Sequence, residues 1–196
     1  MKNKLTHLLG IVPLVAQTLI PTKINAQELH PEVAINLMYI AAANLHGQQA
    51  VPRVYRPIPG GFVTSCGVMP EVNAIYCPAD HSIYISIEMV RRAYSFGDAA
   101  LAYLIGHEYA HAMQNAYRFR SGNTPIDELQ ADCLAGVYMA ATPDIHFDER
   151  DILEVAAFAK SGGDFNIWSQ QHHGTPQQRV AAVVHGLGAA NFSACF

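Results

Sequence analysis

Residues 98–118, DAALAYLIGHEYAHAMQNAYR, form the longest helical pattern in the chain. Apolar side chains such as Leu101 and Leu104 recur at three- and four-residue intervals, the spacing of one face of an α-helix. Asp98 belongs to the residue types that cap helix N-termini, and a polar, glycine-containing segment follows Arg118. The pattern therefore predicts a helix from Asp98 to about Arg118.

Two histidines, His107 and His111, lie four residues apart within this helix. At that spacing both imidazoles project from one face and can bind the same metal ion. Glu108 lies beside them and cannot reach the same coordination position, so we expect it to act as general base on metal-bound water. The sequence thus predicts a catalytic site with Zn²⁺ as its cofactor.

A catalytic zinc site needs a third protein ligand and leaves a fourth position to water. The next predicted helix begins at Thr124, a capping residue, and carries Glu128 and Asp132 four residues apart on one face. We expect Glu128 to be the third ligand, with Asp132 as the alternative. Asp132 lies one turn further along and suits a carboxylate that accepts the outer N–H of a ligating histidine.

The remaining patterns predict an α+β fold in which a small β-hairpin or sheet precedes a mainly helical body. A proline- and glycine-rich connector at 51–61 should be extended, and residues 74–90 are expected to form a hairpin around a turn at 78–80. Further helices are predicted at 31–45, at 148–160 with Asp148 as cap, and after Thr175 with a capping box.

The composition excludes several classes of protein. The chain has 196 residues, 51% hydrophobic and only 14% charged, which is too apolar for a disordered chain or a polar linker. Its net charge of −4 provides no basic surface for nucleic acid, so no nucleic-acid partner is expected. One domain is the usual count at this length.

The N-terminus resembles an export signal. Lys2 and Lys4 precede an uncharged stretch at 5–22, so we predict a secretory signal peptide at 1–26 and a single exported domain at 27–196, periplasmic or secreted. Cleavage would remove three of the 12 basic groups and no acid, which changes the net charge from −4 to −7. An uncleaved membrane anchor is the alternative, but prolines and polar residues dilute the apolar stretch. No membrane contact is expected after cleavage.

The four cysteines, Cys66, Cys77, Cys133 and Cys195, would meet an oxidising compartment after export. Four cysteines allow three connectivities, and Cys66 with Cys77 is the most local pair. A free buried thiol is the alternative for Cys133, whose neighbours in sequence are apolar.

Three segments together resemble a known family: HEYAH at 107–111, ELQADCLAG at 128–136 and HGTPQQR at 173–179. They look like the bacterial putative neutral zinc metallopeptidases of the gluzincin group, with HExxH followed by ExxAD. The resemblance implies that the helical body is zincin-like. Cys66-Gly67 and the segment YCPAD at 76–80 are similar to the region that precedes the active-site helix in that family. The resemblance implies the following roles: His107, His111 and Glu128 as zinc ligands, Glu108 as catalytic base and Asp132 as orienting carboxylate.

A peptidase also needs a donor for the oxyanion of its tetrahedral intermediate, commonly His, Tyr or Arg. His173 lies just before a capped helix and is the catalytic candidate, with His172 as an equally placed rival. Alternatively, both histidines are surface loop residues and Arg179 pairs with a carboxylate such as Asp132. A histidine here could also act as a fourth zinc ligand that keeps the enzyme latent.

The expected function is zinc-dependent hydrolysis of peptide bonds in proteins or peptides, in the cell envelope or outside the cell. The strand at 81–87 could pair with the substrate backbone, or it could be purely structural. The main alternative function is that of a zinc-binding, non-hydrolysing envelope chaperone or secretion-associated protein. A different metal or a non-peptide amide substrate also fits these ligand types.

Overall fold

The computed structural model describes residues 24–25, 30–54, 57–169 and 172–196. The predicted signal peptide at 1–26 lies outside these residues apart from the backbone of 24–25, so it stays a prediction. Within the described part of the chain, no helix combines the length and the apolar character needed to cross a membrane.

Helices dominate the described residues. Their bounds are α1 Pro31–His46, α2 Ile87–Tyr94, α3 Asp98–Tyr117, α4 Thr124–Ala140, α5 Glu149–Ser161 and α6 Pro176–Ala189. Short 3₁₀ helices follow α1 and α6, at Gln48–Ala50 and Phe192–Cys195. Asp148 and Thr175 begin α5 and α6 with capping boxes, as predicted.

Two predicted caps are wrong by one residue. Asp98 and Thr124 are the first residues of α3 and α4, and Gly97 and Asn123 occupy the cap positions. Asn123 offers its own side-chain oxygen to the helix, so it takes the capping role from Thr124. Asp98 instead places its carboxylate in the first turn, where the helix dipole favours negative charge.

Short strands complete the fold. Their bounds are β1 Ile24–Asn25, β2 Arg53–Val54, β3 Val63–Thr64, β4 Gly67–Val68, β5 Ala74–Cys77, β6 Ser82–Ile85 and β7 Ile145–His146. The largest sheet has the order β2-β6-β5, with β2 parallel and β5 antiparallel to β6. β3 and β4 form an antiparallel pair, and β1 lies parallel to β7. This arrangement confirms the predicted α+β class.

The predicted hairpin is confirmed for β5 and β6, where Ala74 pairs with Ile85 and Cys77 with Ser82. Its predicted extension to residue 90 is wrong, because α2 begins at Ile87. Ser86 caps that helix with its side-chain oxygen, so the chain leaves the strand immediately after β6.

Helix α3 lies at the centre of the core and packs against α1, α2, α4, α5 and β5. Five of its six alanines are fully buried: Ala99, Ala100, Ala102, Ala110 and Ala112. Small residues on several faces let neighbouring elements approach closely, which explains why this helix is buried nearly all round. The two histidines therefore stand on a fixed element.

Helices α4 and α6 are in backbone contact. A Cβ added at Gly136 would lie 2.3 Å from the carbonyl oxygen of Val183, and one added at Gly186 would lie 1.9 Å from that of Cys133. Both positions therefore require glycine. The close approach sets the position of α6, which carries Arg179, relative to α4.

The cysteines form two disulfides, Cys66–Cys77 and Cys133–Cys195. The local pair is the one expected from sequence, and the alternative of a free thiol at Cys133 is wrong. The first bond joins the β3–β4 turn to β5. The second joins α4 to the C-terminal 3₁₀ helix.

Candidate metal centre

Three side chains from two helices converge on one point. His107 and His111 on α3 bring their Nε2 atoms to 3.0 Å from each other. Glu128, in the second turn of α4, places Oε2 3.2 Å from Nε2 of His107 and Oε1 3.3 Å from Nε2 of His111. The structure thus brings together the three residues that the sequence analysis proposed as zinc ligands.

The connection between the two helices positions Glu128. Arg118 ends α3 in the left-handed conformation, with φ of 57°, and turns the chain back towards the helix. Gln114 then joins the helices, because its Nε2 donates to the carbonyl oxygen of Asp127 at 2.6 Å and to Oε1 of Gln130 at 2.9 Å. The start of α4 is thereby held against the histidine face of α3.

The outer nitrogens of both histidines are committed to acceptors. Nδ1 of His107 lies 2.8 Å from Oδ1 of Asp132, and Nδ1 of His111 lies 2.9 Å from Oε1 of Gln114. The amide nitrogen of Gln114 is already used as a donor, so its oxygen faces the ring. Each neutral imidazole then carries its proton on Nδ1 and presents a lone pair at Nε2.

This donor set fits zinc. Two imidazole nitrogens and a carboxylate meet at 3.0–3.3 Å, so either protons or a metal cation must lie between these acceptors. Tetrahedral zinc with bonds near 2.0–2.1 Å separates its ligand atoms by about 3.3 Å. His107, His111 and Glu128 would therefore hold the ion and leave one position open, as in catalytic sites.

The electrostatics of the site favour positive charge at its centre. Burial works against a charged His107, but Asp132 and Glu128 outweigh it and raise its pKa to about 10. Burial also works against a charged Glu128, yet hydrogen bonds and charge from His107 and His111 hold its pKa far below the usual value. The same negative charges of Asp132 and Glu128 would stabilise a bound divalent cation.

Glu108 lies beside the three proposed ligands and lines the same cleft. It is buried, and the backbone of Tyr76 in β5 interacts with its carboxylate. Burial raises the pKa of Glu108, although the nearby histidines oppose the shift. A carboxylate whose pKa lies closer to neutrality is a better proton acceptor at neutral pH, which suits a general base.

Asp132 is fully buried at the centre of a polar network. Besides His107, it receives hydrogen bonds from Arg179, with Nε at 2.8 Å and Nη2 at 2.7 Å, and from the hydroxyl of Tyr103. Burial would raise the pKa of Asp132, but Arg179 and His107 lower it, so the group stays a carboxylate. It can then hold the proton of His107 on Nδ1 and so fix the tautomer of the ring.

The two adjacent histidines have different environments. His172 is buried, and its Nδ1 lies 2.8 Å from Oδ1 of Asp164. His173 lines the cleft of the proposed metal site, while its backbone N–H lies 3.4 Å from Oδ2 of Asp164. Asp164 thus holds the loop so that His173, the residue favoured from sequence, faces the cleft. Arg179 takes the structural pairing with Asp132 that the sequence analysis left open.

The cleft has a volume of about 780 Å³ and includes one edge of the sheet. Ala74, Ile75 and Tyr76 of β5 line it, and among the described residues β5 pairs with β6 alone. Of the two roles that the sequence left open for the strand at 81–87, substrate pairing and a structural role, the structure supports the structural one. β6 is buried between β2 and β5, so both of its edges are already hydrogen-bonded.

Sequence reasoning missed three residues that support the centre: Tyr103, Gln114 and Asp164. Tyr103 lies four residues before His107 and thus on the same helix face, which was the available signal. Gln114 lies three residues after His111, which is also a neighbouring position on the helix. Nothing local distinguishes Asp164, because its partners are brought to it by a loop.

Comparison with known proteins agrees with the first part of this geometry. The model of a family described as putative neutral zinc metallopeptidase matches residues 47–121, a segment that contains His107, Glu108 and His111. The resemblance to this family is therefore confirmed. The match ends before Glu128, so the α4 and α6 parts of the centre rest on the structure.

The names of the curated relatives of this chain describe no activity. The uncharacterized protein YpfJ of Escherichia coli K12 is 28% identical over 162 residues, covering 67% of this chain and 56% of YpfJ. The uncharacterized protein Rv2575 of Mycobacterium tuberculosis H37Rv is 29% identical over 179 residues, covering 71% of this chain and 60% of Rv2575. The chain thus spans less than two thirds of these curated relatives. No solved structure matches it.

Proposed function

We propose that this chain is a zinc-dependent metallopeptidase that hydrolyses peptide bonds of proteins or peptides. The observation that carries the proposal is the convergence of three lone-pair atoms, from His107, His111 and Glu128, within 3.0–3.3 Å and beside the buried Glu108. A non-catalytic structural zinc site is usually closed by four protein ligands. The described part of the chain supplies three such ligands here, and the site opens into a cleft.

Zinc, when bound, supplies Lewis-acid polarisation of a carbonyl oxygen and lowers the pKa of water. The chain's own residues handle the proton. Glu108 accepts a proton from the attacking water while the water oxygen bonds to the scissile carbonyl carbon. Glu108 then delivers that proton to the amine nitrogen as the C–N bond breaks. His173 in the cleft wall is the proposed donor to the oxyanion.

The substrate proposal rests on the free edge of β5. An extended peptide could add to this edge by main-chain hydrogen bonds, with little demand on its side chains. The backbone of Tyr76 also positions Glu108, so the strand that would hold the peptide touches the proposed base. This arrangement supports a polypeptide substrate over a small amide.

Export is part of the proposal. The two disulfides are typical of proteins that mature in oxidising compartments. Cell fractionation of the full chain tests this export proposal. The processed protein should appear in the periplasmic or extracellular fraction. Retention of an unprocessed, membrane-bound chain would support the anchor instead.

Glu108→Gln tests the catalytic assignment. It should keep the zinc content of the wild type by elemental analysis and lose at least about 100-fold of its activity on an unfolded protein, the scale of general-base catalysis. Glu32→Gln, the same change on the exposed face of α1, should behave like the wild type. Equal cleavage by Glu108→Gln and wild type would exclude Glu108 as the base. Stoichiometric zinc in a wild type that binds but never cleaves polypeptides would identify a zinc-binding chaperone-like protein.

A further inference from the structure

Three carboxylates meet where α3 begins and α5 makes its first turns. They belong to Asp98, Asp151 and Glu154, and one oxygen of each lies within 4.8 Å of the other two. Asp98 and Asp151 are only 7% and 1% exposed. Asp98 lies nine residues before His107, roughly 14 Å along the helix, so this cluster is separate from the proposed zinc centre.

Two oxygens of the cluster are buried and accept no hydrogen bond from any described residue: Oδ1 of Asp151 and Oε2 of Glu154. The other oxygen of Asp151 accepts the backbone N–H of Asp148 at 2.8 Å, and Oε1 of Glu154 lies 3.2 Å from Nε of Arg150. A buried carboxylate oxygen without a donor is costly and calls for a partner such as an ion. Both oxygens thus indicate a missing positive ligand.

Among the described residues, the charged groups near the cluster do not reach Oδ1 of Asp151 or Oε2 of Glu154. From α5, Asp148 adds negative charge, and Arg150 reaches only the outer oxygen of Glu154 with a side chain that is 69% exposed. From α3, Asp98 accepts the N–H of Ala99 on Oδ1. Burial raises the pKa of Asp151 and Glu154, and repulsion from Asp98 contributes to both shifts.

Gly97 makes room for the cluster. A Cβ at this position would lie 1.7 Å from Oε2 of Glu154, and the backbone φ of 135° also favours glycine. The carboxylate therefore occupies the space of the missing side chain, directly in front of the first turn of α3. This close approach keeps the Glu154 oxygen next to Asp98 and Asp151.

We propose that Asp98, Asp151 and Glu154 bind a divalent cation of the calcium type. The ligands are all carboxylate oxygens, which hard cations prefer, whereas zinc favours nitrogen and sulfur. Calcium holds oxygens at about 2.3–2.6 Å, so oxygens up to about 5 Å apart can share one ion. The ion joins the start of α3 to α5, whose Phe158 and Ser161 line the cleft.

The test uses the zinc-loaded full chain in buffer freed of other divalent ions, with calcium chloride as the probe. Titration calorimetry should give one calcium per chain. At a calcium concentration 100 times the Kd, the melting temperature should rise by about 5–10 °C. Elemental analysis should show unchanged zinc. None of these readouts depends on peptidase activity, so the outcome is separate from that of the proposed function.

Variants locate the ion. The double variant Asp151→Asn, Glu154→Gln should show no heat of calcium binding and no rise in melting temperature when calcium is added. Its melting temperature without calcium should not fall below that of the wild type. Glu149→Gln removes an exposed charge from the same helix and should keep both responses. Calcium binding that survives in the double variant would overturn the assignment.

A wild type that gives neither heat nor melting shift at millimolar calcium would also overturn the proposal. If the double variant fails to fold, terbium luminescence of the wild type serves instead. Terbium should bind saturably and be displaced by calcium. A terbium signal that calcium cannot displace would exclude a calcium site.

Discussion

Arg179 on α6 binds the carboxylate of Asp132 on α4 through two nitrogens, with Nε 2.8 Å from Oδ2 and Nη2 2.7 Å from Oδ1. Oδ1 also lies 2.8 Å from Nδ1 of His107 on α3. All three side chains are buried. A helix that carries none of the proposed zinc ligands therefore fixes the orientation of one of them.

Arg179→Met should lower both stability and metal affinity. It leaves the buried carboxylate of Asp132 without its cation, which costs about 3–5 kcal/mol of unfolding free energy. Loss of an outer partner should also weaken zinc binding by about 10–100-fold. Denaturant unfolding of the zinc-free chain and chelator competition measure the two effects. Arg91→Met removes an exposed arginine of α2 and should change stability by less than about 1 kcal/mol. Wild-type zinc affinity in Arg179→Met would show that Asp132 orients His107 without it.

Gln114→Ala should weaken zinc binding through His111. The amide oxygen of Gln114 fixes the Nδ1 proton of that ring, and its nitrogen joins α3 to α4. We expect a loss of about 10–100-fold in zinc affinity by chelator competition. Asn115→Ala alters the next residue, which contacts the hydroxyl of Tyr76, and should retain wild-type affinity. Equal zinc affinities for the two variants would mean that a group other than Gln114 fixes the tautomer of His111.

Gly186→Ala should disrupt the contact between α4 and α6. The added methyl group would meet the backbone oxygen of Cys133 at 1.9 Å, which side-chain movement cannot relieve, so we expect a loss of about 3 kcal/mol or more. Gly188→Ala lies in the same helix with nothing within 4 Å and should be neutral or stabilising by up to about 1 kcal/mol. Thermal and urea unfolding compare them. Similar stabilities for both variants would contradict the close approach of the helices.

Glu154→Gln should show a pH-dependent stability difference in calcium-free buffer. Burial and Asp98 raise the folded-state pKa of Glu154, so its ionised form is disfavoured in the folded protein. That cost is present above the folded pKa and disappears as the pH falls through it towards the unfolded value. The variant should therefore melt higher than the wild type at pH 8, and the gap should close towards pH 4. A gap that widens at low pH would show that the carboxylate is stabilising when charged.

Much of the proposed centre follows from local sequence. The spacing of His107, Glu108 and His111 within one helix fixes their mutual placement, because a helix has a constant rotation per residue. Capping residues such as Asp148 and Thr175 mark helix starts for the same local reason. The cap prediction at Thr124 was wrong because the side chain of Asn123 takes that role, whereas Gly97 occupies the cap position before Asp98 without a capping side chain.

Contacts between helices could not be derived in this way. The sequence predicted Glu128 as a ligand and Asp132 as the acceptor of a histidine N–H, but only the structure shows that Asp132 contacts His107 rather than His111. His172 and His173 are adjacent, yet one binds Asp164 and the other lines the cleft. Such differences depend on where a second element lies.

The sequence by itself determined the histidine pair, the proposed base and most helix bounds, since these depend on residues within a few turns of one another. Only the tertiary structure decided the partner of Arg179, the connection of Cys133 to Cys195, the edge strand at the cleft and the carboxylate cluster at Asp98. The physical reason is packing: backbone contact at Gly136 and Gly186 sets how α6 lies on α4, and no local pattern encodes that distance.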